Sequence, residues 1–402
     1  MSQRIKEHSH RTGDLYVLTA LAKGFPVFCS VLLPVLYAEK LISAQLLGFI
    51  GALFITMTIM GAIVVAKWLH GLDTRRLLQF AAFGTIGASS ILFVAVANQN
   101  IPLLMFAYGI MGLAAGTALS AVNAMVANMS TRGNRFKIIA QLSMVADVVR
   151  ILFSLAVAGL VMVGLAKIAV LLIVCTAFLF LFYASRQEKT TEARPLQLAK
   201  AKSMKHNKAF KFILSLEFLD SFSSSQLFVF LPLLFLAKGY SLQNSILLQA
   251  FTFLGYMAGR WLVGVLARYY SGLKAVELAE TGQVLTILLL LTANSLWVLY
   301  ALCIALGIFA RGTSPAIKSL AFDSLDDEQM KQGSALHVIA GDSGSALGQL
   351  TFGLLVASFG AKAPFIVAAS VASLISVLCL PKLGKPFMTT SADSVPIPAE
   401  AV

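Results

Sequence analysis

Charged side chains are scarce in this sequence, since Asp, Glu, Lys and Arg together make up 12% of its 402 residues. A soluble domain carries about 25%. Hydrophobic residues account for 58% and are gathered into runs of about 20 residues, the length of a helix that crosses a bilayer. The strands of a membrane barrel would instead alternate over about ten residues. The composition therefore predicts an all-α integral membrane protein surrounded by the lipid bilayer.

Signatures of catalysis and of cofactor binding are also lacking. The cysteines Cys29, Cys175, Cys303 and Cys379 lie singly in apolar runs, without the paired spacing of a zinc site or a disulfide framework. The sequence contains no Gly-x-x-x-x-Gly-Lys-Ser/Thr motif and no soluble domain that could bind a nucleotide, which argues against an ATP-driven pump. The sequence predicts no enzyme activity, no cofactor and no metal site.

Twelve apolar spans, bounded by charged residues, Gly and Asn, can be drawn along the chain. They cover residues 15–38, 43–69, 77–97, 101–129, 138–163, 168–183, 209–236, 246–267, 275–293, 296–320, 333–359 and 364–380. The one long polar break divides them into two sets of six. We expect a tail at 1–14, a six-helix bundle at 15–184, a basic linker at 185–208, a second bundle at 209–381 and a tail at 382–402.

The positions of the basic residues predict the orientation of the chain. The net charge of +13 arises from loops and tails, not from a folded basic domain, so we expect no nucleic-acid partner. The loops on one side carry only four basic residues, Lys40, Lys167, Lys238 and Lys362, and most of the others lie on the opposite side. Because positive loops stay in the cytoplasm, both termini are expected there. Short loops favour a bacterial cytoplasmic (inner) membrane, and we expect a monomer.

The two sets of spans repeat each other. Residues 31–37 read Val-Leu-Leu-Pro-Val-Leu-Tyr, and residues 229–235 read Val-Phe-Leu-Pro-Leu-Leu-Phe. At the same offset Gly61 corresponds to Gly259, and at a slightly smaller one Asp147 corresponds to Asp342. This pattern is expected of two parallel six-span halves.

The loops that follow the second and eighth spans resemble a motif of a known family, Gly-x-x-x-Asp-Arg-x-Gly-Arg-Arg. Residues 66–76 read Ala-Lys-Trp-Leu-His-Gly-Leu-Asp-Thr-Arg-Arg, and residues 264–272 read Gly-Val-Leu-Ala-Arg-Tyr-Tyr-Ser-Gly. With twelve spans in two six-helix halves, nearly the whole chain resembles the major facilitator superfamily of secondary transporters. The resemblance implies two pseudo-symmetric six-helix bundles and no enzyme.

The same resemblance implies a cytoplasmic gate that latches the two halves in one state. Its residues are His70, Asp73, Arg75, Arg76, Gly264 and Arg268. His70 and Arg268 stand where the motif has Asp, which puts the latch in doubt. The fifth span also lacks the Gly-Pro pair of many drug antiporters in that family, which lowers the expectation of multidrug export.

A few ionisable side chains lie inside the spans, where a charge costs several kcal/mol and often marks a solute or proton pathway. Lys23, Asp147, Asp220, Arg311 and Asp342 fall at similar depths near the middle of the membrane, counted at 1.5 Å per residue. They form one predicted layer of charge.

Other charged residues are expected to surround this layer. Arg150 follows Asp147 by one helical turn, a spacing that permits an intrahelical ion pair. Arg260 lies near the end of its span and is expected to extend toward the lipid headgroups. Glu217 lies close enough to the interface that we expect it to be partly hydrated.

Two interpretations of the layer stay open. In one, Asp147 with Arg150 and Arg311 with Asp342 are structural pairs between or within helices. In the other, the layer lines a central cavity, which by the family resemblance is formed by the first, fourth, seventh and tenth spans. The predicted cavity residues are Lys23, Asn123, Asp220, Ser224, Gln226 and Arg311, and the predicted coupling or gating residues are Asp147, Arg150, His337 and Asp342.

The sequence thus predicts a secondary transporter that moves a small polar, charged solute, anionic or zwitterionic, by alternating access. Breaking a buried ion pair changes the proton affinity of its carboxylate, so we expect protons to be the coupled partner. The alternative is a broad-specificity proton-antiport exporter of lipophilic or cationic compounds.

Overall fold

The computed structural model describes residues 2–67, 72–129, 135–165, 168–187, 207–224, 227–266, 272–325 and 330–380, and within these ranges every element is a helix. The helices are α1 (Ser2–Ala38), α2 (Ala44–Lys67), α3 (Thr74–Ala97), α4 (Ile101–Met129), α5 (Arg135–Met162), α6 (Ala169–Arg186), α7 (Lys208–Ser224), α8 (Leu227–Ala237), α9 (Leu242–Leu266), α10 (Gly272–Thr292), α11 (Leu296–Asp323), α12 (Met330–Phe359) and α13 (Ala363–Cys379).

Each predicted span coincides with one helix except the seventh, which covers both α7 and α8. In the part of the chain that the structure describes, eight segments are long and apolar enough to cross a membrane, with α7 and α8 counted as one, and α13 and residues 296–310 of α11 are shorter apolar helices. The remaining two, α9 and α12, carry more polar side chains, among them Gln249 and Asp342. The predicted all-α membrane fold with two six-span halves is confirmed.

The same pairs of helices pack together in the first half (α1–α6) and in the second (α7–α13). Contacts of α2 with α4, of α3 with α4 and α6, and of α1 with α5 and α6 are matched by contacts of α9 with α11, of α10 with α11 and α13, and of α7 with α12 and α13. This equivalence is the structural form of the sequence repeat. It places equivalent residues at equivalent helix crossings.

Glycines allow the closest of these crossings. A Cβ atom on Gly61 of α2 would clash with the backbone oxygen of Leu113 on α4, and one on Gly259 of α9 would clash with the backbone of Ile308 on α11. Helix association within a bilayer depends on such close backbone approach, because the lipid is as apolar as the side chains. The repeat-related glycines therefore have the same role in both halves.

The outward faces of the helices carry large apolar side chains. Phe80 and Phe83 of α3 are 59% and 60% exposed, Phe106 of α4 is 59% exposed and Trp297 of α11 is 81% exposed. A soluble monomer rarely exposes apolar patches of this extent. These faces are suited to lipid contact.

In the described residues, the two most extensive seams between the halves are those of α2 with α12 and of α5 with α9, and α1 also contacts α8. At the first seam the helices meet backbone to backbone, since a Cβ atom on Gly48 would lie 2.5 Å from the Gln349 oxygen and 2.8 Å from the Gly353 Cα. There is no room for a side chain. The second seam contains charged residues.

We predict that Gly48→Val separates α2 from α12 and destabilises the protein by about 1 to 3 kcal/mol, the usual cost of overpacking. The measurement is Tm in detergent together with solute uptake. Gly87→Val on α3 is the matched control, because a Cβ atom there meets nothing within 4 Å. Equal Tm values for the two variants would contradict the close contact.

Candidate functional site

Asp147 of α5 is fully buried at the seam between the halves and accepts hydrogen bonds from two arginines. Arg150 Nη1 lies 3.0 Å from its Oδ1, and Arg260 Nη1 of α9 lies 2.5 Å from its Oδ2. Arg260 also donates to the backbone oxygen of Ser143, at 2.9 Å. The Asp147–Arg150 pair has the geometry that its spacing predicts, and Arg260 adds a bond to the other half of the protein.

The expectation for Arg260 was wrong. Its side chain is 20% exposed, and its guanidinium is directed to the carboxylate on α5 instead of extending toward a membrane surface. Asp147 provides the reason, because a buried carboxylate needs compensating charge and hydrogen bonds. The second arginine supplies both.

Lys23 of α1 joins the same group, which we call the cation cluster: Lys23, Arg150, Arg260 and Lys318. Lys23 Nζ donates to Ser143 Oγ at 3.1 Å, and Arg150 Nη2 donates to the Lys23 backbone oxygen at 3.4 Å. Arg260, Lys318 and Arg150 all repel the Lys23 ammonium, whereas Asp147 attracts it. Basic side chains from α1, α5, α9 and α11 thus lie close to one another, and two of them, Arg150 and Arg260, bind the buried Asp147.

Lys318 was missed in the sequence because it lies close to the end of its predicted span, residues 296–320. It follows Arg311 by seven residues, two helical turns, so both belong to one face of α11. That spacing was the available signal. The side chain of Arg311 lies outside the described residues, and so does the predicted Arg311–Asp342 pair.

Glu217 of α7 forms a second buried group beside the cation cluster. His337 Nε2 of α12 lies 3.3 Å from Glu217 Oε2, Ser221 Oγ donates to Oε1 at 3.4 Å, and Lys318 is attracted by the same carboxylate. Glu217 is 7% exposed, so the expectation that it is partly hydrated was wrong. The backbone of α12 at Gly341 packs closely against the Glu217 carboxylate.

Asp220 and Ser224, two predicted cavity residues, are both fully buried in the second half. The Ser224 hydroxyl donates to the Asp220 backbone oxygen at 2.7 Å, within its own helix. Beside Asp220 lies Glu280 of α10, also fully buried. The sequence reasoning missed Glu280, although a carboxylate inside an apolar span was a sufficient signal.

The other predicted residues are more scattered. Asn123 is exposed on α4, and Asp342 is half-buried on α12. Among the predicted gate residues, Asp73 caps the start of α3 by accepting a hydrogen bond from the Arg75 backbone at 3.4 Å, and Arg76 is exposed. Gln226, His70, Arg268 and the surroundings of Gly264 lie outside the described residues. The structure therefore brings together Lys23, Asp147 and Arg150 of the predicted set.

A sequence model described as Major Facilitator Superfamily matches residues 15–279, more than half of the chain. The chain belongs to the Major Facilitator Superfamily. It is a transporter and not an enzyme, as the sequence predicted. No curated protein sequence gives a significant match.

Solved structures show the same Major Facilitator Superfamily fold. A D-xylose-proton symporter superposes with a TM-score of 0.75 at 15% identity, covering 92% of this chain and 96% of that one. The nucleoside transporter NupG gives a TM-score of 0.72 at 10% identity, covering 92% of this chain and 99% of that one. At these identities the likeness concerns the fold alone.

We predict that Asp147→Asn destabilises this superfamily member by about 3 kcal/mol, because it leaves buried arginines without their counter-charge. The measurement is Tm in detergent. Asp14→Asn is the matched control, since Asp14 lies 3.9 Å from the half-exposed Arg186, and peripheral pairs contribute less than about 1 kcal/mol.

The double variant Asp147→Asn/Arg260→Gln tests the contact between the halves directly. Because the two residues interact, its loss of stability is expected to be smaller than the sum of the two single losses. Additive losses would show that Arg260 and Asp147 do not act together.

Proposed function

We propose that this transporter moves a small anionic or zwitterionic solute by alternating access, and that the movement is coupled to protons. The cation cluster carries the proposal. Among the described residues, four basic side chains, Lys23, Arg150, Arg260 and Lys318, act on one another and on two acids, Asp147 and Glu217, so basic groups outnumber acidic groups here. An anion entering between the halves relieves this repulsion.

The position of the cluster supports a role in alternating access. Its members come from both halves, and Arg260 crosses the α5–α9 seam to reach Asp147. When the halves rock, this bond has to break or shift, and a bound anion can replace the carboxylate as the partner of the arginines. Guanidinium groups are well suited to binding carboxylate or phosphate. The solute and Asp147 then compete for the same cations.

A cationic solute is disfavoured by the same charges. The alternative of a broad-specificity exporter of lipophilic or cationic compounds requires an acidic or wide apolar cavity, whereas the described residues at the seam are predominantly basic. Proton coupling has a precedent on this fold in the D-xylose-proton symporter. Location in a bacterial cytoplasmic membrane, cytoplasmic termini and a monomeric state stay predictions from the sequence.

The solute class is tested by a thermal-shift panel of carboxylates, organic phosphates, amino acids, sugars, nucleosides and hydrophobic cations. We expect stabilisation by anions or zwitterions, followed by uptake of the same compounds in proteoliposomes. Uptake limited to neutral sugars, nucleosides or hydrophobic cations would overturn the proposal.

Proton coupling is tested by imposing a pH gradient on proteoliposomes that contain the wild type or Asp342→Asn. Solute uptake that does not depend on the gradient would show that transport is not coupled to protons.

We predict that Lys23→Gln raises KM for the anionic solute by about tenfold or more, since a charged hydrogen bond contributes about 1.5 to 3 kcal/mol. Initial uptake rates over a range of solute concentrations provide the measurement. Lys362→Gln removes an equal charge from an exposed loop position and is expected to leave KM unchanged. An unchanged KM for Lys23→Gln would remove the lysine from the solute site.

A further inference from the structure

Glu280 of α10 is a buried carboxyl group that the solute site does not use. It lies on the inward face of α10 with Val276, Ala279, Gln283 and Ile287. It is fully buried, and in the described part of the chain no amide, hydroxyl or basic donor reaches either of its carboxyl oxygens. Its hydrogen-bonding contact is with the carboxyl group of Asp220. An ionised carboxylate is not stable in such surroundings without a partner.

The neighbour of Glu280 is a second acid and not a base. Asp220 of α7, itself fully buried, is the charged group that acts on it. Two carboxyl groups side by side in a low-dielectric interior cannot both ionise, and they share a proton instead. Glu280 thus differs from Asp147, which has two guanidinium partners.

Gln283 is a third polar group at this place. It follows Glu280 by one helical turn, on the same face, and is fully buried with no hydrogen-bond partner for either atom of its amide in the described residues. A buried amide without a protein partner is able to bind a water molecule or an ion. Glu280, Asp220 and Gln283 are called the carboxyl pair site below.

The other two acids of α7 and α10 have contacts of their own. On α7, Glu217 takes His337 of α12 and Lys318 of α11 as its partners. On α10, Glu277 is half-exposed and accepts a hydrogen bond from Thr281. The nearby thiols of α11 and α13, Cys303 and Cys379, are buried. Among the described residues no basic side chain acts on Glu280.

We propose that the carboxyl pair site binds and releases the coupled proton, separately from the cation cluster that binds the solute. This rests on the proposed function. The step is the addition of one proton to a carboxylate of the pair and its later loss. α7 links the two sites, since Asp220 lies one turn after Glu217, whose carboxylate reaches Lys318 of the cation cluster.

The test uses the full-length protein in proteoliposomes and compares solute counterflow, which needs no gradient, with accumulation driven by a pH gradient. We expect Glu280→Gln to keep counterflow and to lose accumulation above equilibrium. Its apparent solute affinity is expected to become independent of pH, because solute and proton binding are linked only while the site can titrate. Glu277→Gln, one turn earlier on α10, is the matched control and is expected to keep both activities.

The outcomes separate this inference from the proposed function. If the wild type transports the solute at a rate that does not depend on the pH gradient, the proposed proton coupling is wrong. A coupled wild type with an equally coupled Glu280→Gln variant overturns the carboxyl pair site. Accumulation that follows a sodium gradient overturns it as well, since two carboxylates and an amide oxygen could also hold that ion.

A measurement on the wild type covers the case in which Glu280→Gln does not fold. Hydrophobic carbodiimides react with protonated carboxyl groups in apolar surroundings, and mass spectrometry locates the label. We expect labelling at Glu280 or Asp220 that declines as the pH rises. Labelling of neither residue at any pH would overturn the proposal.

Discussion

Asp147 is bound by arginines from both halves of the protein, and the arrangement of the seam depends on this contact. A carboxylate moved out of water loses several kcal/mol of solvation, which it recovers only through close and well-directed partners. Arg150 and Arg260 provide them from α5 and α9. Arg150 lies in the same half as Asp147, and Arg260 lies in the other half. The interaction that stabilises the buried carboxylate therefore also holds the two halves together. Relative movement of the halves therefore requires a substitute for one of these bonds.

The two seams differ in their physical character. At α2 and α12 the backbones touch through glycines, with no side chain between them, so a small rotation changes few rotamers. At α5 and α9 the contact is ionic, and it has discrete bonded and unbonded arrangements. The repeat places related helices at both seams, α2 and α9 as one equivalent pair and α5 and α12 as the other.

Much of the fold could be predicted from the sequence, because spans of apolar residues and a fixed repeat offset are local or periodic signals. Gly61 and Gly259 were matched by offset alone, and both occur at equivalent crossings. The Asp147–Arg150 pair followed from a spacing of one turn. Arg260 was misread because its partner lies on another helix, whereas Lys318 and Glu280 were overlooked although their positions within apolar spans were a usable signal. Which face of a helix meets which neighbour depends on packing, and hydropathy does not contain that information.

The cation cluster also has an electrical consequence. Charge in the interior of a membrane experiences the transmembrane potential, at about 2.3 kcal/mol for each elementary charge moved across 100 mV. Under the proposed function, the centre of the carrier is more positive when it is empty than when an anion is bound, so the membrane potential acts mainly on the return of the empty carrier. The arginines and lysines proposed to attract the solute would then also determine which half of the transport cycle the membrane potential drives.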